Sequence, residues 1–375
     1  MTHPLLLCSK SEWDPPIRRE HAWAILAAER GHEVTFVERP RDVRALRTAR
    51  RFEYLAGLWA GGKGETVRAR LEVRPRSTLL PGHRDTLAAA SNAALLRPVL
   101  KRASSPATSI VFSWPWDWPA IRSVPARRRV FDMADDWGEL MPGRRARFRR
   151  YYEEITAEAD EIVIVNPSLA ERFGGRRPVL VPNGVFEETL VRTFPESEPR
   201  TMIYVGTLTE RFDSDLMGQV LASLPDWRLE IVGGCMYPGL GDEPSDDLRR
   251  LFDLTGRVRW RGPMARDAVI PLLDRAAVAV VPNRPEHSLG QDSMKFYDYA
   301  ARGRPIVSTR WFQSDSADRP PHMLLADTPL EFAQAVLAAE RQTGAEAAAR
   351  RDWAAARTWT HRWPEWSAAV FGVGG

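Results

Sequence analysis

Short apolar runs alternate with longer amphipathic stretches along most of this chain. Leu5–Cys8, Glu33–Glu38, Ser109–Ser113, Arg129–Met133 and Glu161–Val165 have the length and composition of buried strands. Between them, Ile17–Arg30 carries Ala22, Ile25 and Leu26 at helical spacing and is stopped by Gly31, and Arg144–Ala159 reads as a second long helix. The stretch Arg39–Arg76 has no clear period and predicts a short helix with a mobile loop. Phe186–Arg200 is rich in Glu and Pro and reads as a linker. A second series follows: strands at Thr201–Val205, Arg228–Val232, Val258–Trp260, Ala277–Val281 and Pro305–Ser308, with helices at Ser214–Leu224, Val269–Arg275 and Met294–Ala301. Ala345–Val370 is Ala- and Trp-rich and helical. Two such series predict an α/β protein of two Rossmann-like domains facing a cleft, with ligands at the carboxyl ends of the strands. The expected domains are 1–190 and 191–345, with helices over 346–375 packing back on the first.

Composition narrows this picture. A chain of 375 residues suits two domains, and 44% hydrophobic with 27% charged residues is ordinary for a globular protein. No apolar run reaches the ~20 residues of a membrane span, and MTHPLLLCSK reads as a first strand, not a signal peptide. Cys8 and Cys235 stand alone, which excludes a disulfide framework and a cysteine-rich zinc site and suits the cytoplasm. Net charge is +4, yet residues 1–150 hold 28 Lys/Arg against 16 Asp/Glu, while the remainder holds 25 against 33. A basic first half can meet an anionic acceptor, an acidic membrane surface or nucleic acid; a solvated Arg-rich surface is the plainer account. Nucleic-acid binding ranks low, because the basic residues are tied to no recognised module. Lysine is rare, only Lys10, Lys63, Lys101 and Lys295, so each invites inspection.

Four segments stand out: EHAWAILAAERGHEVTFV (20–37), VIVNPSLAERF with VPNG (163–173, 181–184), YVGTLTERFD (204–213) and SLGQDSMKFYDYAARGRPIVST (288–309). Together they resemble glycosyltransferase family 4, and more closely its teichuronic-acid glycosyltransferase-like branch. The resemblance spans most of the chain, and its last segment is the most specific. It implies the GT-B fold, with the acceptor on the first domain and a nucleotide sugar on the second.

The resemblance places the donor residue by residue. Gly206 and Thr207 end a strand, and Arg211 follows in the loop; a bare glycine lets backbone amides approach phosphate, and a guanidinium grips its oxygens. Ser293 and Met294 would supply amides at a helix start, with Lys295 as a cation beside them. Asp298 stands where the family has a Glu bonded to the ribose hydroxyls. The first Glu of the family's pair would fall at Gly290 and is absent, so Gln291 or Asp292 is the candidate for the sugar hydroxyls. Arg261, in the strand and loop Arg259–Gly262, would lie beneath the nucleobase. Asn183-Gly184 is a turn signal with an architectural role.

The first domain offers acceptor candidates. The family's Gly-Gly loop is replaced by Trp13-Asp14-Pro15-Pro16, and His21 sits near the start of the following helix; His32 reads as structural. Trp13, Asp14, His21, Trp114, Trp116 and Trp137 are the acceptor candidates. Clustered Trp, with Trp118 nearby, suits stacking on a sugar, a planar ring or a quaternary ammonium; core packing is the competing account. In FDMADDW, Asp135 or Asp136 orients the acceptor or takes a proton, or else caps the next helix.

These residues read as a glycosyltransferase. The donor is a UDP- or GDP-sugar as co-substrate, and no further cofactor or metal is expected, because cations already face the diphosphate. The resemblance implies retention at the anomeric carbon. The acceptor is a small metabolite of an antibiotic or thiol pathway, or a cell-surface glycan; peripheral membrane contact stays open, and oligomeric state is unread. A GT-B sugar-nucleotide epimerase and a non-catalytic nucleotide-sugar-binding protein are the alternatives.

Overall fold

Short apolar segments such as Leu5–Cys8 and Ser109–Phe112, buried at every position, form the centre of one eight-stranded sheet in the first unit, and the edge strand Glu65–Arg68 is exposed. The computed structural model describes residues 2–13, 17–47, 51–58, 64–80, 84–237, 243–254, 256–288, 290–311, 313, 316 and 318–372. It divides into two units, Met1–Pro182 with Arg362–Gly375, and Asn183–His361.

In the first unit, strands β1 (Leu5–Cys8), β2 (Val34–Arg41), β3 (Glu65–Arg68), β4 (Leu71–Ser77), β5 (Ser109–Phe112), β6 (Arg128–Met133), β7 (Glu161–Ile164) and β8 (Val179–Leu180) lie in the order β3-β4-β2-β1-β5-β6-β7-β8. All neighbours are parallel except β3, which runs antiparallel to β4. Helices α1 (Arg19–Glu29), α2 (Arg51–Leu58), α3 (Thr86–Ala103), α4 (Trp118–Ile121), α5 (Trp137–Leu140) and α6 (Arg145–Glu158) connect them. The strand β4 is where the reading of Arg39–Arg76 as helix and loop fails. LEVRPRS is too rich in Arg to read as a parallel strand, yet Arg76 and Ser77 are buried with partners. Arg76 makes a two-bond ion pair with the equally buried Asp117, both at 2.7 Å, and Ser77 Oγ donates to Tyr54 O.

The second unit holds β9 (Glu198–Val205), β10 (Arg228–Val232), β11 (Val258–Trp260), β12 (Ala276–Val281), β13 (Ile306–Ser308) and β14 (Leu324–Leu325) in the fully parallel order β11-β10-β9-β12-β13-β14. Its helices are α7 (Ser214–Ser223), α8 (Asp246–Phe252), α9 (Arg266–Arg275), α10 (Met294–Ala301), α11 (Pro329–Glu340) and α12 (Gly344–Ala355). Counted within the unit, the order is 3-2-1-4-5-6, the dinucleotide-fold order. Its crevice opens where the winding reverses, between the ends of β9 and β12.

The boundary falls at Pro182–Asn183, ahead of the predicted linker, and α12 stays with the second unit instead of packing on the first. Its Ala354 lies in the core with Phe296, Tyr299 and Ala300 of α10, and Arg350 Nη2 donates to Gly303 O. The last helix, α13 (Trp359–Phe371), passes to the first unit at Arg362. There Trp366 stacks on Trp23 of α1 at 4.7 Å and donates its indole N–H to Asp132, while Phe371 stacks on His32 at 4.2 Å.

Candidate active site

The end of β9 decides what the second unit can hold. Gly206 has φ +152°, and a Cβ there would lie 2.3 Å from Lys295 Cε and 2.8 Å from its Nζ. The lysine therefore runs directly over the bare Cα of the glycine. Gly233, at the end of β10, has φ +143°, and a Cβ would sit 2.0 Å from Gly206 O. Gly233 is thus closed by the backbone of the adjacent strand end, and Gly206 by the lysine stem and its own positive φ. The Gly206 and Gly233 amides are spent within the fold, on Val232 O and Gly262 O.

Tyr204 forms the floor. It is buried, its hydroxyl donates to Thr207 O at 3.3 Å, and Lys295 Nζ lies 5.2 Å from its ring centroid. Burial pushes its phenol well above the ordinary range, and the Arg211 guanidinium nearby pulls in the opposite direction. Lys295 therefore lies over this tyrosine, and Arg211, in the loop that follows the same strand, acts on it electrostatically. Arg211 is held from behind: its Nε donates to His287 O at 3.1 Å. In the amide orientation that satisfies both its ends, Gln291 Oε1 accepts from Arg211 Nη1 at 2.7 Å and Nε at 2.8 Å. Gln291 is a positioning group for the arginine, an assignment its place in the sequence did not suggest.

Asp292, the other candidate for the sugar hydroxyls, is the hub of a loop clasp. It accepts the Asn183 N–H at 2.5 Å, the Tyr297 hydroxyl at 3.1 Å and the Gln313 amide, while Asn183 Nδ2 donates to its carbonyl. Asn183-Gly184 thus has the architectural role expected of it. Ser293 is the N-cap residue of α10 without a side-chain cap bond, and its N–H, one of the amides expected to face phosphate, donates to Gln313 Oε1 at 2.5 Å. Gly290, where the family's first Glu would stand, has φ +69°, a left-handed conformation in which a glutamate would be strained. Asp298 Oδ1 accepts from Arg266 at 2.7 Å, and the same arginine donates to Thr189. Arg261 pairs through its side chain with Glu230 of β10 at 2.7 Å, and its N–H joins the sheet. Beside it, Trp260 stacks on Phe252 at 5.0 Å and donates to Gly233 O.

In the first unit the carboxylates part company. Asp136 is the N-cap of α5: Oδ1 accepts from Gly138 N, and Oδ2 from Arg172 Nε at 2.7 Å. Asp135, one residue earlier, is ion-paired with Lys10, at the edge where β1 and β6 end. Nothing in the sequence joins two residues 125 positions apart, though the scarcity of lysine had marked Lys10 for inspection.

The acceptor candidates are largely packing groups. Trp116 is 1% exposed; it lies 4.6 Å from Trp114 and 5.1 Å from Trp137, edge-on to the latter, and also touches Phe148. Trp118 is fully buried on Phe112. The core-packing account describes these indoles, leaving only the partly exposed faces of Trp114 and Trp137. His21 is 1% exposed and completes the α1 cap: its Nδ1 accepts from Arg18 N, so its Nε2–H donates to Glu12 O. Both nitrogens are used, and the ring is wedged between Trp13 and Phe36. Trp13 is partly exposed, with its N–H bonded to Glu38. Asp14 lies outside the described residues.

Comparison with known proteins bears on the fold and the class of the chain. Residues 199–341 match the family model Glycosyl transferases group 1. No curated protein sequence matches the chain. Among solved structures, sucrose-phosphate synthase from Thermosynechococcus elongatus is similar at TM-score 0.74, with 14% identity and 97% of each chain covered. A trehalose-6-phosphate protein from E. coli, bound with UDP-2-fluoro glucose, is similar at 0.71, with 12% identity and 98% of each chain covered. WaaG, a glycosyltransferase involved in lipopolysaccharide biosynthesis, is similar at 0.67, with 14% identity over 99% of this chain and 100% of its own. The fold is GT-B, the catalytic class is glycosyltransferase, and no described helix is long and apolar enough to cross a membrane.

Proposed function

We propose that this GT-B glycosyltransferase takes a nucleotide diphosphate sugar on its second unit and transfers the sugar to an acceptor received by its first. The observation that carries the reading is Lys295 lying over the bare Gly206, with Arg211 held by Gln291 and the His287 carbonyl in the loop that follows the same strand. Two fixed cations above a backbone without side chains match the two phosphates of a nucleoside diphosphate. Their charge is met by side chains, so the reading needs no metal. The similar E. coli protein binds a UDP-sugar analogue, which favours UDP over GDP as the donor base.

The leaving diphosphate gains negative charge as the glycosidic bond breaks, and Lys295 and Arg211 stabilise it most when that charge is greatest. Gln291 and the His287 carbonyl hold the guanidinium beforehand, so little reorganisation is needed at the moment of reaction. Asp298 shares Arg266 with Thr189 and keeps Oδ2 for the ribose hydroxyls. In the first unit, Asp135, ion-paired with Lys10, orients the acceptor. Retention follows from the family resemblance, with the donor phosphate taking the acceptor proton.

A small metabolite is the favoured acceptor, with a cell-surface glycan second. Cys8 is buried, its thiol pushed up to about 12 by burial, and neither cysteine forms a disulfide, which suits a cytoplasmic setting. Thermal shift with UDP, GDP and dTDP tests the donor class. One nucleotide should raise the midpoint well above the others, and an equal response to all three, or to none, contradicts the reading.

A further inference from the structure

A second cavity of about 500 Å³ opens at the carboxyl edge of the second sheet, lined by Asp213, Leu216, Asn283, Pro285, Thr309, Arg310, Trp311 and Asp327. None of these belongs to the candidate donor set. The two regions adjoin through main chain: Arg284 N donates to Arg211 O at 2.7 Å, and Asp213 N to Pro282 O at 2.8 Å. The volume suits a mono- or disaccharide-sized ligand, within the usual range of small-molecule sites.

Asn283 is the lining residue with an unsatisfied buried polar atom. Its residue is 3% exposed, its backbone is tied to Val281 and Thr309, and its Oδ1 is buried without a partner. A carboxamide so placed costs stability unless something bonds to it. The neighbouring charges define what that partner is. Asp213 spends Oδ1 on the Leu216 amide and on Arg284 at 3.5 Å, and Asp327 is paired with Arg310 at 3.1 Å through Oδ2 while Oδ1 accepts Arg310 N. Both arginines are already matched by carboxylates, so the lining offers no spare cation to a phosphate. It offers instead an amide that donates and accepts, carboxylate oxygens that accept, and the apolar surfaces of Leu216, Pro285 and Trp311.

We propose that this cavity binds a neutral, polyhydroxylated ligand of the carbohydrate class, independently of the nucleotide. Hydroxyls would bond to the Asn283 amide and the Asp213 carboxylate, and the C–H faces of the sugar would lie on the apolar wall. The assignment does not rest on the donor reading.

Saturation-transfer NMR of the full chain with D-glucose, D-galactose, N-acetylglucosamine and trehalose tests it. At least one should receive magnetisation, keep it when UDP is added in excess, and lose at least about tenfold in affinity in Asn283→Ala and in Leu216→Trp, which fills the cavity. The thermal midpoint of Asn283→Ala should hold or rise, because a buried unpartnered amide has been removed. Transfer to none of the four sugars overturns the proposal. So does a signal abolished by UDP, a signal unchanged in both variants, or a large drop in the midpoint of Asn283→Ala, which would make the amide structural.

Discussion

In the proposed reading, Lys295 and Arg211 act through where their carbon stems lie as much as through their charge. Removing one cation that faces a developing charge costs about 3–4 kcal/mol in the transition state, or roughly 100–1000-fold in turnover. Lys295→Ala and Arg211→Ala should each lose that much in kcat with unchanged far-UV circular dichroism, and near-normal kcat in both would reject their role. Gln291→Leu should weaken turnover less than Arg211→Ala, because Nε still reaches the His287 carbonyl. Gly233→Ala is expected to lower the unfolding free energy read from denaturant melts by about 1–3 kcal/mol, since a methyl cannot stand 2.0 Å from Gly206 O. Lys295, Arg211 and Gly206 were legible in the sequence because a glycine-ended strand and a rare lysine in a known signature are local features. The duties of Gln291, Asp292 and Lys10 were not. Each depends on a partner distant along the chain: Arg211 for Gln291, Asn183 and Gln313 for Asp292, Asp135 for Lys10.

Strands and helices followed the apolar pattern wherever burial alone shaped them. Arg228–Val232, Val258–Trp260 and Met294–Ala301 have the predicted bounds. The pattern failed at β4, whose arginines are neutralised in the interior. Arg76 and Asp117 are both 1% exposed, so a hydrophobicity reading sees a loop where an ion pair permits a strand. Arg76→Met should cost about 3–5 kcal/mol of unfolding free energy, because it strands a buried aspartate. Replacing both partners by apolar residues should recover most of the loss, which urea melts of the single and double variants would show. Asp136 likewise acts on its element: as N-cap of α5 and partner of Arg172, its replacement by Ala should cost about 1–2 kcal/mol while leaving kcat largely intact. A collapse of kcat with normal stability would return Asp136 to the catalytic list.

At the scale of the molecule, α13 leaves the second unit and packs on the first, as expected of the C-terminal helices, whereas α12 does not. His32 sits under that helix, stacked on Phe371, and burial holds its pKa below the ordinary 6.5. Above pH 6.5 the ring is neutral in folded and unfolded chains alike, and this contribution to stability is complete. As pH falls through 6.5 the unfolded chain takes the proton first, so stability drops until the folded pKa is passed. Thermal midpoints measured from pH 7.5 to 5 should therefore fall, and His32→Gln should flatten the slope. The two-unit architecture and the return of the C-terminal helical segment to the first unit were readable in the sequence, whereas the contacts that hold α13, to Trp23, Asp132 and His32, join residues more than two hundred positions apart. The central claim is that a cationic pair above Gly206 grips a diphosphate. Calorimetric titration of UDP and of uridine into the wild-type chain and the Arg211→Ala/Lys295→Ala double variant tests it most directly. The wild type should bind UDP far more tightly than uridine, and the double variant should bind both about equally; an undiminished preference for UDP in the double variant would contradict the account.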